Sequence, residues 1–330
     1  MREEVIQDIE VLLGFKPDTT EFTEVEGGFT GAQKFIVSNN ETNGTSNEAF
    51  IKLAELATHP EEAVVLDTEA TMYGLISKLD GVGKYFPGYR AYKRDNQIAV
   101  LAIQYLPGLT WGGPWTEKTV NLLASALEEV HSVTIDPAVG QEITKHANAL
   151  RTKLYEQSPY TFNRQKRREL FEDAADFDTG KLTNSRQHNY YHLPIETARD
   201  IAKSASEFNP EAEKKFIVTD LNFGNIGFSS DQVYFVDPVY VELGVPATDM
   251  VNVGINIVRT LPQTEDNARL AKLVKETFLS DKAALADTIT YWVACTSLGY
   301  RGEKDEWMNF QQECALTALK VWEELNGDDS

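Results

Sequence analysis

Over residues 2–13 the apolar positions Val5, Ile9, Leu12 and Leu13 fall on one side of a 3.6-residue period, and Gly14 follows them. That spacing predicts an amphipathic helix closed by a glycine stop. Beyond it the texture changes. Segments 21–26, 32–38, 48–54, 88–94 and 97–106 are short apolar runs separated by turn-forming pieces such as Asn39-Asn40-Glu41-Thr42-Asn43-Gly44. They read as strands. One helical pattern interrupts them at 61–79, where Val65, Thr68, Met72, Leu75, Ile76 and Leu79 recur at helical intervals.

After Pro107-Gly108 the strand texture largely stops. Residues 117–131 carry Leu123, Leu127 and Val130 on one helical face, and further helices are predicted at 141–156, 164–175, 195–206, 246–260, 267–278, 282–298 and 305–325. Within that stretch only 215–219, 225–228 and 233–237 read as strands. The pattern therefore predicts an α+β chain of two lobes: a β-rich lobe with a leading helix over 1–106 and a mostly helical lobe over 107–330. Ligands favour crevices between such lobes.

Composition narrows the classes. With 330 residues, 42% of them apolar, the chain can bury a substantial core. Cys295 and Cys314 lack the spacing of a metal site or a disulfide framework, so they read as ordinary thiols of a reducing compartment. The opening Met1-Arg2-Glu3-Glu4 has neither the basic nor the apolar region of a secretory signal, and no apolar run reaches the roughly 18 residues of a membrane span. A cytoplasmic protein without a membrane partner is expected; nothing in the sequence sets an oligomeric state. The formal charge of −20 disfavours nucleic acid as a partner and admits cationic ligands, although acidity also serves plain solubility. The basic run Arg164-Gln165-Lys166-Arg167-Arg168 is expected to be a solvated helix face.

Three constellations carry candidate chemistry. Glu26-Gly27-Gly28-Phe29-Thr30-Gly31 lies between the first two strands; Gly27, Gly28 and Gly31 permit a tight turn that brings N–H groups close to a polyphosphate, or simply a hairpin. Lys52 ends the apolar strand Ala49-Phe50-Ile51, and Glu69 stands in the middle of the following helix, so a strand lysine and a helix carboxylate are candidates to pair. Taken alone, each reads as a surface charge. The third is Phe216-Ile217-Val218-Thr219-Asp220-Leu221-Asn222-Phe223-Gly224-Asn225, in which an apolar strand runs into Asp220 with Asn225 five residues on. A second apolar strand, Val233-Tyr234-Phe235-Val236, ends in Asp237. Two strand ends delivering Asp220, Asn225 and Asp237 offer few carboxylates and oxygen donors, which suits Mg²⁺ held together with phosphate oxygens.

In these residues the chain resembles the aminoglycoside phosphotransferase and choline-kinase-like branch of the protein-kinase fold, over about residues 20–255. The resemblance runs from Gly27-Gly28 through Lys52 and Glu69 to Gln104-Tyr105-Leu106-Pro107-Gly108. It continues through the helix ending Val130-His131 to Asp220-Leu221-Asn222-Phe223-Gly224-Asn225, Asp237 and Gly244-Val245-Pro246-Ala247-Thr248-Asp249. It implies a two-lobed protein-kinase-like fold and an ATP- and Mg²⁺-dependent transfer of the γ-phosphate to a hydroxyl of a small molecule. By that resemblance Asp220 is the catalytic base, Asn225 and Asp237 hold magnesium, and Lys52, steadied by Glu69, meets the α- and β-phosphates. The main chain at Gln104 and Leu106 meets the adenine, and Asp249 braces the catalytic loop. The family usually reads His-Gly-Asp where this chain has Val218-Thr219-Asp220, and an aromatic residue where it has Pro238. These departures keep a second expectation alive: a catalytically weak nucleotide-binding or interaction module on the same fold.

Only eleven residues separate Asp237 from Asp249, and no Ala-Pro-Glu triplet occurs, which is too short for a peptide-docking platform. A small acceptor is therefore expected, bound by the helical insert at about 140–212 and carrying an amine if the acidity of that lobe acts on it. Tyr155, Tyr160, Tyr190 and Tyr191 belong to that insert.

Overall fold

The strands at the start of the chain form one antiparallel sheet, and the continuous apolar run Ile98–Ile103 is buried on both of its faces. A computed structural model describes residues 2–25, 32–40, 46–157, 163–172, 194–262, 264–297 and 305–326. In it, β1 (Thr20–Glu24), β2 (Gln33–Asn40), β3 (Ser46–Glu55), β4 (Tyr89–Arg94) and β5 (Ile98–Gln104) are ordered β1-β2-β3-β5-β4. The leading helix α1 (Glu3–Leu13) lays Val5 and Ile9 on a cluster made by Phe35, Val37, Ala49, Ile51, Leu53, Val100 and Ala102. Gly14, at φ 68, closes that helix in the left-handed conformation, and its N–H bonds back to Glu10 and Val11 carbonyls. Helix α2 (Pro60–Ile76) packs on β3, β4 and β5, so β5 has apolar neighbours on both sides and is buried from Ile98 to Ile103.

Two compact units divide the chain. The first comprises residues 1–114, 132–143 and 223–241, and thus adds to the sheet a three-stranded ribbon of β6 (Thr110–Trp111), β8 (Ile226–Phe228) and β9 (Val233–Phe235), ordered β6-β8-β9. The second comprises residues 115–131, 144–222 and 242–330. Its helices are α3 (Glu117–Ser132), α4 (Pro137–Gln157), α5 (Arg164–Glu172), α6 (Ile195–Glu207), α7 (Pro246–Thr260), α8 (Glu265–Phe278), α9 (Lys282–Ser297) and α10 (Asp305–Asn326), with α3 and α4 each running across a boundary between the units. Helix α9 is the hub, packed by α5, α6, α7 and α10. A two-stranded antiparallel pair, β7 (Lys215–Ile217) with β10 (Glu242–Gly244), completes this unit. A Cβ on Gly244 would lie 2.3 Å from Ile217 Cδ1, the far end of a side chain that would have to turn aside to admit it.

One expectation is corrected. The basic run of α5 is not a solvated face throughout, because Arg167 is 4% exposed. Its Nε donates to Thr290 Oγ1 at 3.3 Å and its Nη2 to Asp287 Oδ1 at 3.2 Å, while Arg164 Nε donates to Asp287 Oδ2 at 3.1 Å. Helical spacing puts Arg164, Arg167 and the buried Phe171 on one side of α5, and that side is the one docked on α9. Among the described residues no helix is long and apolar enough to cross a membrane.

Candidate active site

Lys52 points from β3 to the face of the sheet covered by α2, since its neighbours Ile51 and Leu53 belong to the opposite face, under α1. Its ammonium donates to Glu69 Oε1 at 2.8 Å and also to Asp237 Oδ1. Lys52 is 6% and Glu69 1% exposed, so the pair is a buried one and Glu69 is not a helix-surface acid. Burial alone would push the Lys52 ammonium down; the Glu69 and Asp237 carboxylates outweigh it and hold the group above its ordinary range. Burial lifts the Glu69 carboxyl to about 7, with Lys52 drawing it partly back. Tyr73, one turn further along α2, is buried near the same two carboxylates, and burial pushes its phenol well up.

Asp237 follows β9 and takes the left-handed conformation, φ 55 and ψ 56, which an aspartate tolerates better than most residues. Pro238 then starts a short 3₁₀ turn. Asn225 precedes β8, and the Val236 N–H donates to its carbonyl at 3.0 Å, so Asn225 and Asp237 stand at the same end of the β8–β9 ribbon. Among the described residues no group of three His, Cys, Asp or Glu side chains could hold a metal ion. The donor set here is of another kind: one carboxamide and one carboxylate, the latter 40% exposed, both hard oxygen donors. Such a pair fits Mg²⁺, which keeps waters or phosphate oxygens as its remaining ligands.

Gln104 ends β5, and its N–H donates to the Gly88 carbonyl at 2.8 Å while its side-chain oxygen accepts from the Gly88 N–H at 3.1 Å. Leu106 is half-buried two residues on. Gly27, Gly28 and Gly31 lie outside the described residues, as do Tyr160, Tyr190 and Tyr191. The first unit thus gathers Lys52, Glu69, Asn225 and Asp237, and carries Gln104 on the same sheet as Lys52 with Leu106 just beyond the strand.

Asp220 belongs to the second unit. It is half-buried, and Asn222 Nδ2 donates to its Oδ1 at 2.9 Å, fixing the carboxylate from two residues away. The loop before it is held by Asp249, which is fully buried in the first turn of α7. The Asp249 carboxylate accepts the Val218 N–H at 2.7 Å, the Thr219 N–H at 2.8 Å and His131 Nε2 at 3.0 Å. Three donors, two of them main-chain, satisfy a charge that burial would otherwise make costly. Thr219 sits at φ 53, and the Asp220 N–H bonds back to the Val218 carbonyl at 2.7 Å, a tight turn immediately before the candidate base. The bracing position of Asp249 is as the resemblance implies. The Asn222 contact was not foreseen; its signal was the local Asp-x-Asn spacing, which turns use routinely. Tyr73 gave no signal beyond the helical period.

No protein-family model matches the chain, and no curated protein matches its sequence. Solved structures do match. A spectinomycin phosphotransferase in complex with ADP and spectinomycin is 12% identical over 98% of this chain and 97% of its own, with a TM-score of 0.54. Choline kinase from Streptococcus pneumoniae is 15% identical over 96% of this chain and 98% of its own, with a TM-score of 0.54. Choline kinase from Cryptosporidium parvum is 13% identical over 99% and 97%, with a TM-score of 0.55. Likeness at such identities speaks for the fold: the chain has the α+β, kinase-like fold of these proteins, with an antiparallel-sheet unit and a helical unit.

Proposed function

We propose that this chain, built on the fold shared by aminoglycoside phosphotransferases and choline kinases, is an ATP-dependent kinase of a small alcohol. The observation that carries the reading is the buried Lys52–Glu69 pair whose ammonium also reaches Asp237, beside Asn225 at the end of one ribbon. An isolated buried ion pair stabilises little. A lysine held charged between two carboxylates, one of them still 40% exposed, suits a metal–phosphate ligand: a cation taken by Asp237 would leave the Lys52 ammonium to meet a phosphate.

In this reading Lys52 binds the α- and β-phosphates, and Glu69 keeps its ammonium in place. Main-chain groups at Gln104 and Leu106 orient the adenine. Asn225 and Asp237 would hold Mg²⁺, which would supply charge neutralisation for the polyphosphate. Asp220, oriented by Asn222, accepts the acceptor's hydroxyl proton as the acceptor oxygen bonds to the γ-phosphorus and the bond to the ADP oxygen breaks. Catalysis then rests on positioning and electrostatics rather than on covalent chemistry by the protein. The acceptor is small because the Asp237–Asp249 segment is filled by a 3₁₀ turn and by β10, leaving no room for a peptide platform. An amine-bearing alcohol suits the net charge of −20, and spectinomycin and choline are what two of the similar structures are named for.

A second reading, a nucleotide-binding module with little turnover, draws on Val218 and on Thr219 at φ 53, just before Asp220. One set of measurements separates the two. Mg·ATP should raise the melting temperature by mass action, and a panel of aminoglycosides, macrolides, choline-like amines and sugars should include an acceptor that releases ADP. Asp220→Asn should then lower kcat by on the order of 10²–10⁴ with little change in ATP affinity. A chain whose melting ignores millimolar Mg·ATP, or a variant that turns over normally, would end the kinase reading. Binding without acceptor-dependent ADP release would favour the module.

A further inference from the structure

The register of β2 and β3 sets Lys34 directly opposite Lys52. Residues paired in this way project to the same face of the sheet, with Cβ atoms about 4.5–5.5 Å apart. Their neighbours Phe35, Ile51 and Leu53 point the other way, into the cluster under α1. Lys34 therefore shares the face on which Lys52 meets Glu69 and Asp237.

Two lysines opposite one another on a sheet repel, and like charges in that position destabilise a strand pair. Lys34 is also half-buried, which removes part of the water that would screen the repulsion. Its ammonium is held below the ordinary lysine range by burial first and by Lys52 second, against the pull of Asp237 and Glu69. A solvated strand lysine would show none of this tension. Among the described residues, Lys52, Asp237 and Glu69 are charges that act on Lys34, and if Asp237 is committed to a metal ion its pull on the two lysines is spent there.

We propose that Lys34 is a second phosphate-binding cation, meeting the polyphosphate of a nucleoside triphosphate beside Lys52. This inference rests on the kinase reading given above and adds a binding residue to it.

The test uses the full chain and three variants, Lys34→Met, Lys34→Arg and Lys52→Met, with Kd measured for Mg·ATP and for adenosine, and melting measured without ligand. Removing the charge of Lys34 while keeping its stem should raise the Kd for Mg·ATP about 10- to 100-fold, the worth of one charge-assisted contact. Adenosine affinity should stay within about twofold, because adenosine has no phosphate. The unliganded Lys34→Met protein should melt close to the parent, since the Lys52 repulsion is lost together with the pull of Asp237 and Glu69. Lys34→Arg should recover much of the Mg·ATP affinity. An unchanged Kd for Mg·ATP in Lys34→Met, alongside a loss in Lys52→Met, would overturn this inference and leave the kinase reading standing. Equal losses for ATP and adenosine with a lowered melting temperature would make Lys34 a structural residue and also overturn it. A parent chain that binds no Mg·ATP would overturn both.

Discussion

Among the described residues, Thr219 is a β-branched residue held at positive φ. A β-branched side chain at φ 53 crowds its own main chain, at a cost of about 1–2 kcal/mol. The conformation persists because both flanking groups are tied: the Val218 and Thr219 N–H groups to Asp249, and the Asp220 N–H to the Val218 carbonyl. Glycine adopts the same conformation without strain but loses about 0.5–1 kcal/mol more entropy on folding. Thr219→Gly should therefore leave the fold intact and stabilise it by up to about 1 kcal/mol, read as a higher urea midpoint with an unchanged slope. A lower midpoint would show that the threonine side chain makes contacts worth more than the strain. Strain of this kind gathers where a loop must present one group in one direction, and the next residue here is Asp220.

At the scale of elements, α7 joins two tasks. Its first turn carries Asp249 to the loop of Val218 and Thr219, and its middle lies against the end of α8. The close approach occurs at Gly254, where a Cβ would lie 2.6 Å from Leu279 Cδ2 and 2.8 Å from Phe278 Cβ. Replacing a helical glycine by alanine ordinarily stabilises a helix by about 1 kcal/mol. Here the sign should reverse: Gly254→Ala should cost about 1–3 kcal/mol, because the two helices must part or Leu279 must leave its position. Thermal denaturation checks it, and a stabilised variant would mean that the α7–α8 contact yields easily. Most elements were readable in advance, with helix ends within a few residues of those predicted, because helical and strand periods are local properties. The strands β6 and β10 were not, since two or three residues hold no period and become strands only through partners distant in sequence.

For the molecule as a whole, the charge of −20 sets how it meets small ions and ligands. The described part of the helical unit is not uniformly acidic: Arg164 and Arg167 share Asp287, so local charge there is set by packing as well as by count. If a cationic acceptor is captured by the field of the protein, its KM should rise steeply between low and physiological salt, as the screening length shrinks to about 8 Å. The affinity for Mg·ATP should move less, or improve. A flat KM across that range, or a preferred neutral acceptor, would remove charge from the account of acceptor choice.

The amino-acid sequence by itself determined the order of most strands and helices, the α+β class, and the nearness of Asp220, Asn225 and Asp237 to short strands. Each of these depends on residues within a few positions of one another, where periodicity and turn chemistry act. Tertiary structure alone decided which charges are buried and which meet. Glu69 and Arg167 look like surface charges in the sequence and are interior ones, because an element cannot announce what will be packed against it. Lys34 and Lys52 face each other only through the strand register, which pairs residues 18 positions apart and is fixed by packing rather than by local pattern. Asp249 reaches Val218 and Thr219 only once α7 is docked beside β7, since desolvation and hydrogen bonding between distant segments arise from packing rather than from chain order.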